Sequence, residues 1–139
     1  MVIATGGARE PRLDVVFLVN GLPLGIVENK APGVPVVEAA RDLKRYWEDA
    51  PQLVALGMVA GICNGTHFRV GPVGAEGLSG YAEWKDTHPH PRPKSATERD
   101  TVLVGVFSPH TLADLAANYS VFETRDGVTR RKLARYQQF

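Results

Sequence analysis

The chain has 139 residues, of which 44% are hydrophobic and 22% charged, and its formal net charge is +1 at pH 7. This length and composition allow one small domain with a buried core. The near-neutral charge argues against a dedicated electrostatic binder of nucleic acid. The sequence has neither a signal peptide nor an apolar run long enough to span a membrane, so we expect a cytoplasmic protein.

The first predicted element is a β-hairpin. Residues 13–19 and 24–28 are rich in Val, Leu, Ile and Phe with little polar alternation, which is typical of strands buried on both faces. Asn20 and Gly21 lie between them, and both residue types tolerate a positive φ, so they favour a two-residue hairpin turn. The acidic residues of the two strands are therefore neighbours.

The charged residues at the strand ends suit phosphodiester hydrolysis. Asp14 and Glu28 would offer Mg²⁺ the oxygen ligands that it prefers, and the carbonyl of Asn29 could add a third. Residues two apart in a strand share a face, so Lys30 would stand beside Glu28 and face the attacking water or the phosphate. The other interpretation is a structural ion pair at the edge of a hairpin.

The register of this hairpin decides whether its two carboxylates can share a site. A pure two-residue turn pairs Asp14 with Val27, which puts Asp14 and Glu28 on opposite faces. A shared site therefore requires an odd-length loop or a bulge. Pro23 cannot donate a ladder hydrogen bond, which favours a bulge near Leu22.

A helix is predicted after the hairpin, between Pro35 and Pro51. Its apolar residues recur at helical spacing: Val36, Ala40, Leu43 and Trp47. Asp42 and Tyr46 then share one face. Asp42 could add negative charge near a metal, pair with Lys30 or Lys44, or be a solvated surface acid. Tyr46 is either a DNA-facing hydroxyl or a core aromatic with a polar tip.

The middle of the chain is predicted to form a second hairpin and two loops. The hairpin pairs residues 57–63 with 66–70 around an Asn-Gly turn, and Cys63 is expected to be a buried, reduced core residue. Residues 71–80 are Gly-rich and predict a loop. A Pro- and His-rich loop spans about residues 86–98, where a His-x-His pair invites a metal hypothesis, although the absence of a third ligand nearby favours an ordinary surface loop.

The segment 100–139 is predicted to contain a helix and a hairpin. Ser108 and Pro109 favour a helix start, with the helix running to about Asn118. Asp-Gly then turns a last hairpin of residues 120–124 against 128–135.

Basic residues gather at two places: Arg41, Lys44 and Arg45 on the first helix, and Arg125, Arg130, Arg131, Lys132 and Arg135 in the last hairpin. Each cluster could contact phosphates or form a solvated basic face. We take Asp42, Lys44, Arg45 and Tyr46 as candidate DNA-contacting residues.

The string LDVVFLVNGLPLGIVENKAP, including its NGLPL turn, resembles the nuclease domain in the restriction (R) subunit of type I restriction enzymes, which belongs to the PD-(D/E)xK superfamily. The similarity continues through the segments PQL, NGT, RVG, FSP and KLARY, and so covers nearly the whole chain.

The resemblance implies an α/β restriction-endonuclease-like core, a mixed sheet flanked by helices. It implies that Asp14 and Glu28 bind Mg²⁺ and that Lys30 is the catalytic lysine. Two positions depart from the pattern. Leu13 stands where the family has Pro, and Asp42 replaces the Gln of a Gln-x-x-x-Tyr motif that ends here at Tyr46.

We therefore expect residues 1–139 to form one truncated nuclease domain that hydrolyses DNA. Its implied partners are DNA, an ATP-driven motor region of the R subunit, and modification and specificity subunits. The chain has no G-x-x-x-x-G-K-[ST] loop, so ATP would act only through the motor. The alternatives are an inactive fragment that binds DNA or other subunits, and a free-standing PD-(D/E)xK nuclease of the resolvase or repair kind.

Overall fold

The structure is a computed structural model that describes residues 11–139. The described strands are β1 Val15–Val19, β2 Leu22–Asn29, β3 Val59–Cys63, β4 Phe68–Pro72, β5 Ala82–Glu83, β6 Ser120–Arg125 and β7 Val128–Leu133. The described α-helices are α1 Val37–Asp49, α2 Pro51–Leu56, α3 Glu98–Gly105 and α4 Pro109–Asn118. A short 3-10 turn lies at Leu78–Gly80.

Five strands form one mixed sheet in the order β1-β2-β3-β4-β5. β2 and β3 are parallel, and the other neighbouring pairs are antiparallel. The parallel pair requires a crossover connection, which α1 and α2 supply. β6 and β7 form a separate two-stranded sheet. The predicted α/β class, a mixed sheet flanked by helices, is confirmed.

The central strands are buried on both faces. Ile26 of β2 packs in a core cluster with Leu43 of α1 and Leu53 of α2. Val27, the next residue, packs in a second cluster with Leu112 of α4. Because successive side chains of a strand alternate between faces, β2 fills the core on both sides of the sheet, as its continuous apolar sequence predicts.

The prediction that the first strand is also buried on both faces is wrong. β1 is an edge strand with no neighbour beyond it in the described sheet. Val15 and Leu18 keep 42% and 58% of their surface exposed. Phe17 does reach the core, where its ring stacks on Phe107 at a centroid distance of 4.7 Å. Composition alone did not distinguish this edge strand from a central one.

The predicted hairpins after the first helix are both confirmed, as β3–β4 and β6–β7. Cys63 is buried and carries a free thiol. Two helices were not predicted. Pro51 begins α2 instead of only following α1. α3 begins where the loop was expected to end, with a capping box between Thr97 and Asp100. No helix within residues 11–139 has the length and apolar character needed to cross a membrane.

Candidate active site

A β-bulge sets the register of the first hairpin. Val15 lies opposite Val27 and Phe17 opposite Gly25, but Leu18 lies opposite Pro23, so the intervening Leu24 is the extra residue. The predicted bulge is therefore present, two residues after the expected position. Because Val15 pairs with Val27, extending this register by one residue places Asp14 opposite Glu28. The two carboxylates therefore lie on the shared face that the sequence analysis required.

The turn itself adopts the predicted geometry. Asn20 and Gly21 both have positive φ, at 51° and 80°, as a two-residue turn of type I′ requires. The carboxylate of Asp14 is exposed, and its Oδ2 accepts a hydrogen bond from the main-chain N–H of Asn29 at 2.9 Å. Leu13, in the position where the resembled family has Pro, is buried in the core cluster that includes α1. Asp14 is thus fixed from both strands.

Glu28 is a buried acid, with 3% of its surface exposed. Its Oε1 accepts a hydrogen bond from Lys30 Nζ at 2.9 Å, whereas Oε2 is buried without a hydrogen-bond partner among residues 11–139. Burial raises the pKa of Glu28, the hydrogen bond from Lys30 lowers it in part, and the negative charges of Asp14 and Asp42 raise it further. A buried carboxylate oxygen without a partner costs stability unless a hydrogen-bond donor or a cation engages it, so Glu28 Oε2 is a candidate ligand atom.

Lys30 lies just past the end of β2, where its main-chain N–H donates to the carbonyl of Cys63 at 2.7 Å. Its ammonium group contacts two carboxylates, Glu28 Oε1 and Asp42 Oδ2. Burial alone would lower the pKa of Lys30, but the hydrogen bonds to Asp42 and Glu28 outweigh it and raise this pKa above its ordinary value. Lys30 is therefore a fixed cation beside Glu28.

Asp42 lies at the site and is 25% exposed at its side chain. Of the alternatives left open by the sequence, the structure shows the pairing with Lys30. The second oxygen of Asp42 forms an ion pair with Arg45 at 3.0 Å. That contact was not predicted, although a spacing of three residues on a helix is the signal for it. Lys44 turns instead to Glu48, at 3.9 Å.

Tyr46 lies one helical turn after Asp42 and is half-buried against the core cluster of α1. The guanidinium of Arg45 lies 5.5 Å from the centre of its ring. Burial raises the pKa of the Tyr46 hydroxyl, and the negative charge of Glu28 adds to the rise. The packing of the Tyr46 ring agrees with the interpretation as a core aromatic with a polar tip, and a DNA-facing role of its hydroxyl stays a prediction.

The Pro- and His-rich loop does not form a metal site in the described part of the chain. His90 Nε2 lies 2.8 Å from Ser108 Oγ and 3.1 Å from Thr111 Oγ1, at the start of α4. Within residues 11–139, no cluster of three or more His, Cys, Asp or Glu side chains is arranged to hold a metal. The interpretation of this region as an ordinary loop agrees with these contacts, which attach it to α4.

The basic residues of the last hairpin lie at the other end of the sheet. Arg131 donates to the carbonyl of Gly57 and packs over the ring of Phe122. A groove of about 640 Å³ runs from β7 to the loop after Pro72. Pro72 pairs with Val59 at the start of β3, whereas the candidate site lies at the end of β3. These residues and the candidate site are therefore separate surfaces.

Comparisons with known proteins identify the family that the chain resembles. Residues 2–77 match the family described as Type I restriction enzyme R protein N terminus. The chain is also 29% identical over 142 residues to the Type I restriction enzyme HindI endonuclease subunit of Haemophilus influenzae. That alignment covers 96% of this chain and 13% of the subunit. No solved structure matches.

Proposed function

Because the chain belongs to the family of type I restriction enzyme R protein N termini, we propose that it is a Mg²⁺-dependent DNA endonuclease domain of such an R subunit. The reaction is hydrolysis of a phosphodiester bond. The observation that carries the proposal is the buried Oε2 of Glu28, which has no hydrogen-bond partner in the described part of the chain although Asp14 and Lys30 lie near this side chain. An acid kept in this setting costs stability, and catalysis is a reason to retain it.

The donor set fits Mg²⁺. Asp14 and Glu28 present carboxylate oxygens on one face of the hairpin, and the carbonyl of Asn29 is the third candidate ligand between them and Lys30. Mg²⁺ takes oxygen ligands and keeps several waters, so two carboxylates from the protein are a sufficient anchor. When bound, Mg²⁺ would polarise a phosphate oxygen and lower the pKa of a coordinated water.

The residues of the chain have separate tasks in this scheme. Asn29 orients Asp14 through the hydrogen bond from its main-chain N–H. Glu28 is held in the sheet between β1 and β3, which fixes its carboxylate at the end of the buried core. Lys30 directs a positive charge into the site, where it stabilises the negative charge that develops on the phosphate during in-line attack.

DNA is the proposed substrate, with the exposed Lys44 and Arg45 and the half-buried Tyr46 of α1 as candidate contacts. Both basic residues already have an acidic ion-pair partner on the same helix. Phosphates would have to compete with these neighbours, so the contribution of each contact to affinity is expected to be small and sensitive to salt. In this proposal, target recognition belongs to the specificity and modification subunits. ATP hydrolysis and translocation belong to the motor region, and the complex acts in the cytoplasm.

A second candidate function is a module that binds DNA or other subunits without cutting. The contact of Lys30 with two carboxylates favours it, since an ammonium held this way has fewer donors left for a phosphate. Supercoiled plasmid incubated with the purified chain over a range of Mg²⁺ concentrations separates the two functions. A nuclease nicks or linearises the plasmid. A chain that retards the plasmid in a gel but leaves it supercoiled at every Mg²⁺ concentration is the non-cutting module.

A further inference from the structure

Lys30 is held by two carboxylates that belong to different elements. Its Nζ donates to Glu28 Oε1 at 2.9 Å, and Asp42 Oδ2 contacts the same nitrogen. Glu28 belongs to β2 and Asp42 to α1, so the ammonium group joins the strand to the helix. A lysine ammonium has three N–H donors. Two are used here, and one is available for a further partner.

Asp42 is fixed by a contact of its own. Its Oδ1 forms an ion pair with Arg45 at 3.0 Å, while its Oδ2 contacts Lys30. The guanidinium of Arg45 is placed in turn by the ring of Tyr46. Each oxygen of Asp42 therefore has a cationic partner, and one of these partners, Arg45, lies on the same helix as Asp42.

The two carboxylates that hold Lys30 differ in what else they can bind. Glu28 has a buried oxygen without a hydrogen-bond partner among the described residues, whereas both oxygens of Asp42 are engaged. If Glu28 shares its carboxylate with a divalent cation, Lys30 loses part of one contact and is repelled by the added positive charge. Attraction to the full negative charge of Asp42 opposes that repulsion. A neutral amide at the same position would accept a hydrogen bond but would offset little of it.

We propose that Asp42 is the positioning residue of Lys30, which keeps the ammonium group at the site when Glu28 binds a divalent cation. This inference rests on the proposed function, in which Glu28 is the cation ligand and Lys30 faces the phosphate. It assigns Asp42 a role through Lys30 and not a contact with DNA.

The test is the ¹H–¹⁵N signal of the Lys30 ammonium group in the full chain, which is observed when hydrogen bonds slow its exchange with water. Its absence from Lys30→Ala assigns it. We expect the signal in the unaltered chain with and without Mg²⁺, and its loss from Asp42→Asn when Mg²⁺ is added. Asp42→Gln gives the same comparison if Asp42→Asn does not fold. Glu48→Gln is the matched control, because Glu48 lies on the same helix with 66% of its side chain exposed.

Two results overturn the inference: a signal that persists in Asp42→Asn with Mg²⁺, or an unaltered chain that lacks it. The cleavage reaction adds a second readout. Asp42→Asn is expected to lower kcat by roughly ten- to hundredfold, with KM for DNA unchanged, because the misplaced group acts on the bound substrate.

Failure of the proposed function is recognised separately. If Mg²⁺ does not raise the melting temperature of the unaltered chain, the cation does not bind and the proposed function fails. If Lys30→Ala cleaves DNA as fast as the unaltered chain while the ammonium signal behaves as expected, the catalytic role of Lys30 fails and the positioning by Asp42 stands.

Discussion

The main-chain N–H of Asn29 donates to the carboxylate of Asp14 at 2.9 Å, across a hairpin that separates them by fifteen residues. This contact exists because Leu24 is an extra residue in β2, which shifts the pairing of the strand by one. Without that residue Asp14, which immediately precedes β1, would face away from Glu28. A bulge therefore connects the local chain geometry to the chemistry proposed for the site.

Addition of Mg²⁺ is expected to raise the melting temperature of the unaltered chain. A ligand that binds only the folded state stabilises it by about 2.7 kcal/mol at a concentration of one hundred times Kd. Asp14→Asn and Glu28→Gln should each abolish most of the rise, because each removes one of the two carboxylates. Scanning calorimetry at constant ionic strength measures this rise in melting temperature. Glu48→Gln should retain the full rise, and an equal rise in Glu28→Gln would place the cation elsewhere.

The free energy of unfolding of Glu28→Gln is expected to rise relative to that of the unaltered chain as the pH rises from about 4 to 8. Burial raises the pKa of Glu28, so the folded state favours its protonated form. The stability that this preference contributes is complete below the pKa of the unfolded chain, about 4.3, and is lost as the pH rises through the higher pKa of the folded state. A glutamine cannot ionise, so the variant does not lose this stability as the pH rises.

Urea unfolding at several pH values measures this difference. The exposed Glu48→Gln is the control and should show little pH-dependent gain. If the difference in unfolding free energy between Glu28→Gln and the unaltered chain does not change with pH, folding does not raise the pKa of Glu28 and the prediction is wrong.

His90→Ala is expected to lower the free energy of unfolding by about 1–3 kcal/mol, because it removes the ring nitrogen that contacts Ser108 and Thr111 at the start of α4. His88→Ala, two residues away in the same loop, should change it by less than about 0.5 kcal/mol, since His88 is exposed. Urea unfolding of both variants compares them directly. Equal effects would mean that the loop is not attached through His90.

The sequence analysis predicted the hairpin, its turn and the need for a bulge, because Asn-Gly geometry and the two-residue period of a strand are local properties. It did not identify β1 as an edge strand, since Val15 and Leu18 are as apolar as the buried residues of β2. Strand neighbours are set by long-range pairing, which residue types alone do not fix. The two helices that were missed are short and begin next to prolines or polar residues that also favour loops.

The site residues were predicted from their order in the chain, but the contact that holds Lys30 was left open. Glu28 and Lys30 are two apart in sequence, so their proximity follows from the strand period. Asp42 is twelve residues from Lys30, and the two meet only because α1 packs against β2. That packing depends on the whole core, so the sequence offered the pairing of Asp42 with Lys30 as one alternative among several.

The initial rate of plasmid nicking in Mg²⁺ tests the central claim most directly, with the unaltered chain compared against Glu28→Gln, Lys30→Ala and the control Glu48→Gln. We predict that the unaltered chain and Glu48→Gln nick the plasmid at similar rates. We predict that Glu28→Gln and Lys30→Ala lose at least about a hundredfold, the scale expected when a group that stabilises the transition state is removed. Nicking by Glu28→Gln or Lys30→Ala at the rate of Glu48→Gln would contradict the account, as would an unaltered, folded chain that never nicks DNA.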